Sequence, residues 1–165
     1  MGNALLKDRR TPRRVRAVSV AEHDRLLTRV FREAKHRVVV ASPYVSVLAI
    51  RAAGVDATIR DVRARGVQVT VYATLARDKP PTHEGIKVLR DAGANVQIVE
   101  RLHSKMLIQD TDILVEGSFN WFSAERSRLD RQNLDSSIAY RGPWAAQWIE
   151  KSVALLRGLE RTEAA

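Results

Sequence analysis

The chain has 165 residues, of which 45% are hydrophobic, enough for one compact domain with a hydrophobic core. It contains no cysteine, which excludes disulfides and thiolate zinc sites, and its four histidines form no metal-binding pair at short spacing, so we expect no metal and no cofactor. No apolar stretch reaches membrane-spanning length and none follows the basic start as a secretory signal would, so we expect a cytoplasmic protein without membrane association.

The formal net charge of +9 is concentrated near the N-terminus, because six basic residues and one acidic residue lie among the first twenty. Residues 1–17 have no hydrophobic periodicity, so the sequence predicts a flexible basic arm there, followed by a single domain over 18–165. Two interpretations of the arm stay open. It is either a tail that contacts nucleic-acid phosphates or a linker to further domains of a longer chain.

The first half of the domain alternates between helical and extended patterns. Ser19 and Glu22 form a capping-box pattern, which predicts a helix that ends near His36. The predicted elements that follow are strand 38–41, helix 45–65 with a break near 54–56, strand 67–72, loop 74–83, helix 84–92 and strand 95–99. Such alternation indicates βαβ crossovers and a largely parallel sheet.

The second half begins with two predicted strands, 103–109 and 112–116, around a tight turn at Asp110 and Thr111. A polar segment, a strand over 134–140 and a last helix opened by Pro143 follow. Core positions are expected in helix 45–65 and in the last helix. They are Leu48, Ile50, Ile59, Val62, Trp144, Trp148, Val153, Leu155, Leu156 and Leu159.

His103 and Lys105 are the strongest candidates for chemistry. Alternate residues of a strand face the same side, so we expect these two to project together, with Ser104 and Met106 directed towards the core. An ammonium neutralises phosphate oxygens, and an imidazole attacks phosphorus or protonates a leaving oxygen. Downstream, Ser118 and Asn120 can donate hydrogen bonds to a phosphate that approaches the backbone of Gly117.

These spaced residues resemble the signature of the phospholipase D superfamily, and most of all its small single-motif bacterial endonucleases. The matching positions are His103, Lys105, Asp110, Gly117, Ser118 and Asn120. The resemblance implies an α/β fold whose mixed, largely parallel sheet is flanked by helices on both faces. It also implies a double displacement, in which one histidine attacks phosphorus to give a phosphohistidine and a second protonates the leaving oxygen and then activates water.

This chain carries one copy of the motif, and single-motif members of the family complete the site by homodimerisation. The resemblance therefore implies that two copies of His103 share one cleft, where Lys105, Ser118 and Asn120 of each subunit hold the phosphate. The family also has an acid downstream that orients the histidine. Asp135, in the run Asn133-Leu134-Asp135, fits that acid; the other interpretation of Asp135 is a strand-end acid in a surface ion pair.

Several nearby residues have less direct interpretations. Asp110 is expected to be a structural, turn-forming residue, with Gly117 also structural, and the side chain of Glu116 is expected to point away from the cleft. Trp121 and Phe122 can stack on a base, although at least one is expected in the core. Three arginines are candidates for contacts to a nucleic-acid backbone: Arg126, Arg128 and Arg131.

The leading hypothesis is a metal-independent phosphodiesterase, a nuclease that acts on DNA or RNA. Two alternatives stay open. One is a nucleic-acid-binding module of a larger helicase, restriction or defence protein, and the other is a phospholipase D-type lipid hydrolase. Phosphate contacts position a nucleic acid without reading its bases, so the sequence leaves DNA and RNA both open.

Overall fold

The computed structural model of the protein describes residues 15–75, 80–123 and 135–162. Within these ranges the chain forms seven strands, five α-helices and two short 3₁₀ helices. The strands are β1 (Val15–Val18), β2 (Arg37–Ala41), β3 (Gln68–Ala73), β4 (Asn95–Ile98), β5 (Met106–Gln109), β6 (Ile113–Gly117) and β7 (Ser137–Arg141). The helices are α1 (His23–Glu33), α2 (Val47–Ala52), α3 (Val55–Ala64), α4 (Pro80–Asp91) and α5 (Ala146–Thr162), with 3₁₀ helices at Val20–Glu22 and Pro143–Ala145.

All seven strands belong to one sheet, in the order β1-β7-β6-β5-β2-β3-β4. The mixed α/β class is confirmed, but the expected predominance of parallel pairing is not found. Only β2 with β3 and β3 with β4 are parallel, whereas the other four pairings in the sheet are antiparallel. Parallel neighbours need a crossover, and α2 and α3 supply one between β2 and β3 while α4 supplies one between β3 and β4. Strands β5 and β6 are instead joined by a tight turn, which makes them antiparallel, and the other antiparallel pairs join strands that are far apart in the chain.

Helices cover both faces of the sheet, as expected. The helices α1 to α4 pack on one face and α5 packs on the other, so the sheet separates two hydrophobic clusters. Strand β2 contributes to both clusters: Val38 and Val40 face the first, and Val39 and Ala41 face the second. This two-sided burial explains why β2 is a continuous apolar run instead of an alternating one.

Three of the expected core residues are exposed. Leu48 is 74% exposed, Leu155 is 63% exposed and Trp148 is 47% exposed, so these predictions are wrong. The reason is the phase of the helix, because each residue turns it by about 100°. Ile50 is fully buried two positions after Leu48. On α5 the buried hydrophobic positions are Ile149, Val153 and Leu156, and Ile149 was missing from the expected core.

Predicted boundaries shift near residues 17 and 80. Val15–Val18 forms β1 and pairs with β7, so the last residues of the predicted arm 1–17 belong to the sheet, and residues 1–14 lie outside the described ranges. Helix α4 begins at Pro80, within the predicted loop 74–83. Proline suits a first helical turn, where its missing N–H costs no hydrogen bond. No helix of the described ranges is both long and apolar enough to cross a membrane.

Candidate active site

Asp110 lies at the far end of β5 from His103, so the acid of the motif is not beside its histidine. Its carboxylate accepts hydrogen bonds from the backbone N–H groups of Lys35 (3.0 Å), His36 (2.8 Å) and Arg37 (2.9 Å). Burial of the carboxyl favours its neutral form, but these hydrogen bonds outweigh burial and hold the pKa of Asp110 below its ordinary value. The contacts therefore account for a structural role, in which Asp110 ties the β5–β6 turn to the start of β2.

His103 and Lys105 lie immediately before β5, because the predicted strand 103–109 begins only at Met106. The ring of His103 is exposed and makes no hydrogen bond to any residue in the described ranges. The Lys105 ammonium donates a hydrogen bond to the backbone carbonyl of His103 at 2.8 Å. Ser104 is exposed, so its expected direction towards the core is wrong. The strict alternation of a pleated strand does not apply to this segment, because it precedes the paired strand.

Ser118 connects the end of β6 to the residues that lead into β7. Its backbone N–H donates to the carbonyl of Ser136 at 3.0 Å, and its hydroxyl donates to the Asp135 carboxylate at 2.8 Å. The N–H of Ser136 in turn donates to the Ser118 hydroxyl oxygen at 3.1 Å. Asp135 therefore contacts Ser118, and within the described ranges it forms no hydrogen bond with the His103 ring.

Gly117 is required by the neighbouring strand. It pairs with Ser137 of β7, and a Cβ atom on Gly117 would lie 2.2 Å from the carbonyl oxygen of Ser136 and 2.5 Å from the Ser137 hydroxyl oxygen. From the sequence, Gly117 was expected to let a bound anion approach the backbone. The close approach in the structure is instead that of the β7 backbone, which places Ser118 beside Asp135.

An open cleft of about 600 Å³ unites the two halves of the motif. It forms because Met106 pairs with Glu116, which brings the residues before β5 next to the end of β6. Its lining residues are His103, Ser104, Lys105, Met106, Glu116, Gly117 and Ser118. An imidazole, an ammonium and a hydroxyl thus share one accessible surface, which suits a phosphate ester.

Glu116 lines this cleft, so the expectation that its side chain points away is wrong. Burial raises the pKa of Tyr140, and a hydrogen bond with Glu116 and the charge of that carboxylate raise it further. The Glu116 carboxylate therefore lies close enough to Tyr140, on the next strand, to act on its phenol.

The residues after Ser118 turn into the core. Phe119, Trp121 and Phe122 are buried, Trp121 and Phe122 completely, so neither Trp121 nor Phe122 is available to stack on a base. Asn120 is partly buried, and its Oδ1 atom accepts no hydrogen bond from the described residues. Of the Asn120 amide atoms, only the nitrogen can donate to a phosphate.

Sequence reasoning missed His23, which is fully buried under the motif. Its ring stacks on Phe119 with centroids 4.0 Å apart, and its Nε2 atom lies 2.8 Å from the Ser137 hydroxyl oxygen. A signal was present in the sequence, because His23 falls on the same helical face as Leu26, Leu27 and Val30. A polar residue on the buried face of a helix needs a partner, and that requirement points to a specific contact.

The candidate nucleic-acid contacts Arg126, Arg128 and Arg131 lie outside the described residues, as do Asn133 and Leu134 of the run that ends at Asp135. Within residues 15–75, 80–123 and 135–162, no three His, Asp or Glu side chains are grouped so that they could hold a metal ion.

Comparisons with known proteins agree with this architecture. Nuc from Salmonella typhimurium, a phospholipase D family member, has a TM-score of 0.68 and 13% identity, over 88% of this chain and 92% of that one. NucT from Helicobacter pylori has a TM-score of 0.62 and 16% identity, over 88% and 94%. Phosphatidylserine synthase from Haemophilus influenzae has a TM-score of 0.69 and 15% identity, over 87% of this chain but 36% of the synthase.

A search of curated proteins found no match. The family model described as "Cardiolipin synthase, PLD-like domain" matches residues 27–155. That span contains every residue of the cleft and most of both hydrophobic clusters. The chain therefore belongs to the phospholipase D-like family, whose members are phosphodiesterases and phosphotransferases.

Proposed function

We propose that the protein is a metal-independent nuclease, which cleaves DNA or RNA through a phosphohistidine on His103 in a site shared by two subunits. One observation carries this proposal: the cleft brings His103, Lys105 and Ser118 onto one accessible surface. The net charge of +9 also favours a polyanionic substrate.

The reaction proceeds in two displacements. A ring nitrogen of neutral His103 attacks phosphorus, and the bond from phosphorus to the leaving oxygen breaks as His103 of the partner subunit gives that oxygen a proton. The same partner histidine, now neutral, takes a proton from water. The water oxygen attacks phosphorus and the P–N bond breaks, which leaves a phosphomonoester and an alcohol.

The remaining residues of the motif hold the phosphate. Lys105 neutralises its non-bridging oxygens, and Ser118 and Asn120 donate hydrogen bonds. A serine hydroxyl has one proton, and the Ser118 proton is directed to Asp135. In this proposal the Ser118 hydroxyl rotates and donates its hydrogen bond to the bound phosphate. The Asp135 carboxylate is then free to accept a hydrogen bond from His103, which fixes the tautomer of the His103 ring.

Homodimerisation follows from the chemistry. Two histidines are needed and the chain has one copy of the motif, so a second subunit supplies the other. Nuc and NucT are each matched over nearly their whole length, so the likeness of fold covers almost all of those two proteins.

A phospholipid substrate is the second candidate. It is favoured by the cardiolipin synthase description of the family model and by the likeness to phosphatidylserine synthase. Both substrate classes present a phosphodiester, so the cleft chemistry is common to them and a direct assay must separate them.

The experiment measures cleavage of single- and double-stranded DNA and RNA in excess EDTA, with release of headgroup from phosphatidylserine vesicles in parallel. We expect the wild type to cleave nucleic acid and His103→Ala to be slower by about 1,000-fold. His83→Ala is the matched control, because His83 is an exposed histidine on α4 outside the cleft, and it should keep full activity.

The proposal fails if the wild type cleaves no nucleic acid, or if His103→Ala cleaves as well as the wild type. Headgroup release without nucleic-acid cleavage would establish the lipid substrate. Salt-dependent binding of nucleic acid without turnover would establish a binding module instead.

A further inference from the structure

His23 and Ser137 form a hydrogen-bonded pair beneath the cleft. They are 114 positions apart in the chain, and both are buried, His23 completely and Ser137 at 4% exposure. Burying two polar side chains is costly unless each is satisfied, and an apolar residue on α1 would fill the same space without that cost. The pair therefore calls for an explanation beyond packing.

The hydrogen bonds fix the tautomer of His23. Its Nδ1 atom lies 3.3 Å from the backbone carbonyl of Val20, which can only accept, so Nδ1 carries the proton. Burial lowers the pKa of His23, against the hydrogen bonds to the Val20 and Ser19 backbone that raise it, so the ring is neutral near pH 7. Nε2 of the neutral ring is then an acceptor, and the Ser137 hydroxyl donates to it at 2.8 Å.

This bond fixes the residue of β7 that faces Gly117. Ser137 pairs with Gly117 across the two strands, and its hydroxyl oxygen lies 2.5 Å from where a Cβ on Gly117 would stand. The two residues before Ser137, namely Asp135 and Ser136, hold Ser118. The His23 ring also stacks on Phe119, the next residue after Ser118. His23 thus contacts the Ser118 turn from both sides, through β7 and through Phe119.

We propose that His23 is a positioning residue, which acts through the Ser137 hydroxyl to hold β7 where Asp135 and Ser136 set the Ser118 side chain. The inference rests on the proposed function of the cleft, and it adds a residue from α1 that touches neither substrate nor the reacting atoms. The hydrogen bond carries the effect, and the ring stacking contributes to stability.

Two substitutions of His23 separate these contributions. His23→Gln keeps an amide oxygen that can accept from Ser137 but loses the ring. His23→Phe keeps a ring on Phe119 but has no acceptor. We expect His23→Phe to lower kcat about tenfold and His23→Gln to lower it by no more than about threefold, because one buried hydrogen bond is at stake. The melting temperature should instead be higher for His23→Phe, which keeps the ring, than for His23→Gln.

The double variant of His23→Phe with Ser137→Ala tests whether the two residues act through the same hydrogen bond. Ser137→Ala should lower kcat about as much as His23→Phe, and the combination should be no slower than either alone, since both remove the same bond. Val62→Ala, on α3 and in the hydrophobic cluster that includes Phe119, is the control for lost stability, and it should keep its kcat when assayed well below its melting temperature.

Affinity for inorganic phosphate, measured by NMR titration, gives a readout that does not need turnover. We expect His23→Phe to bind phosphate more weakly than Val62→Ala does. A wild type that binds phosphate but cleaves no nucleic acid overturns the proposed function alone. Equal kcat for His23→Phe and His23→Gln, multiplicative effects in the double variant, or unchanged phosphate affinity in His23→Phe overturns the positioning role.

Discussion

Asp110 belongs to the motif, but its contacts stabilise the fold and do not reach the cleft. One carboxylate satisfies three consecutive backbone N–H groups, those of Lys35, His36 and Arg37. The backbone of Asp110 is itself left-handed, with φ at 51°, a conformation that aspartate and asparagine tolerate better than most residues. The Arg37 side chain adds a hydrogen bond to the Asp110 carbonyl and an ion pair with Glu150 of α5.

Replacing Asp110 by alanine should lower the free energy of unfolding by about 3 kcal/mol, because partly buried N–H groups lose their acceptor and alanine is strained at this φ. Asp110→Asn is the matched control and should lose less, since it keeps one acceptor oxygen and suits the backbone. Denaturant unfolding measures both. Unchanged stability with lost activity in Asp110→Ala would contradict the structural role.

His23 makes a second prediction at this scale, for stability against pH. Its pKa is lowered in the folded protein from an ordinary value of 6.5, with burial as the main cause. The unfolded chain therefore binds more protons below pH 6.5, so this contribution to stability is complete above that pH and is lost as the pH falls. As the pH falls from 7 to 5, His23→Phe should therefore lose less of its free energy of unfolding than the wild type loses. Parallel loss of stability in the two proteins would contradict a neutral, buried His23.

Among the elements, β6 and β7 show what governs the cleft. Gly117 leaves room for the β7 backbone, so Ser118 reaches both Asp135 and Ser136. Gly117→Ala should destabilise the protein by about 3 kcal/mol and lower kcat, because the two strands must move apart. Gly158→Ala, where the added Cβ meets open space in α5, should instead be neutral or slightly stabilising. Equal melting temperatures for the two variants would refute this account of Gly117.

Local patterns predicted the elements well, since they depend on nearby residues. The predicted strand 38–41 corresponds to β2, whose continuous apolar run fits its burial on both faces. Helix phase was predicted less accurately, because both Leu48 and Ile50 were expected in the core and only Ile50 is buried. The tight turn at Asp110 and Thr111 predicted the antiparallel pair of β5 with β6. The antiparallel pairs of β2 with β5, β6 with β7 and β1 with β7 depend on tertiary contacts that no local pattern shows.

The site residues also divide into those that local spacing predicts and those whose roles depend on tertiary contacts. The spacing of His103, Lys105 and Ser118 predicted a shared surface, and one cleft contains all three. The reason for Gly117 depends on its pairing with Ser137, and the role of His23 depends on a contact across 114 positions. No local pattern carries that information. The Glu116 side chain was expected to point away from the cleft, and its direction follows from the register with Met106, which the sequence does not show.

At the scale of the whole molecule, the cleft of one chain is half of the proposed site. One chain supplies one His103, and the two displacements need a nucleophile and an acid from different subunits. Light scattering at micromolar concentration should therefore give about twice the chain mass of 18.5 kDa. A strict monomer that still cleaves nucleic acid would contradict the two-histidine mechanism.

Subunit mixing tests the shared site most directly. Wild type and His103→Ala are combined in different ratios, unfolded and refolded together, and assayed at constant total protein. Because a mixed dimer has only one of its two histidines, activity should follow the square of the wild-type fraction, and an equal mixture should keep about one quarter of full activity. A linear dependence, with about half of the activity left in the equal mixture, would show that each subunit works alone and would contradict the account.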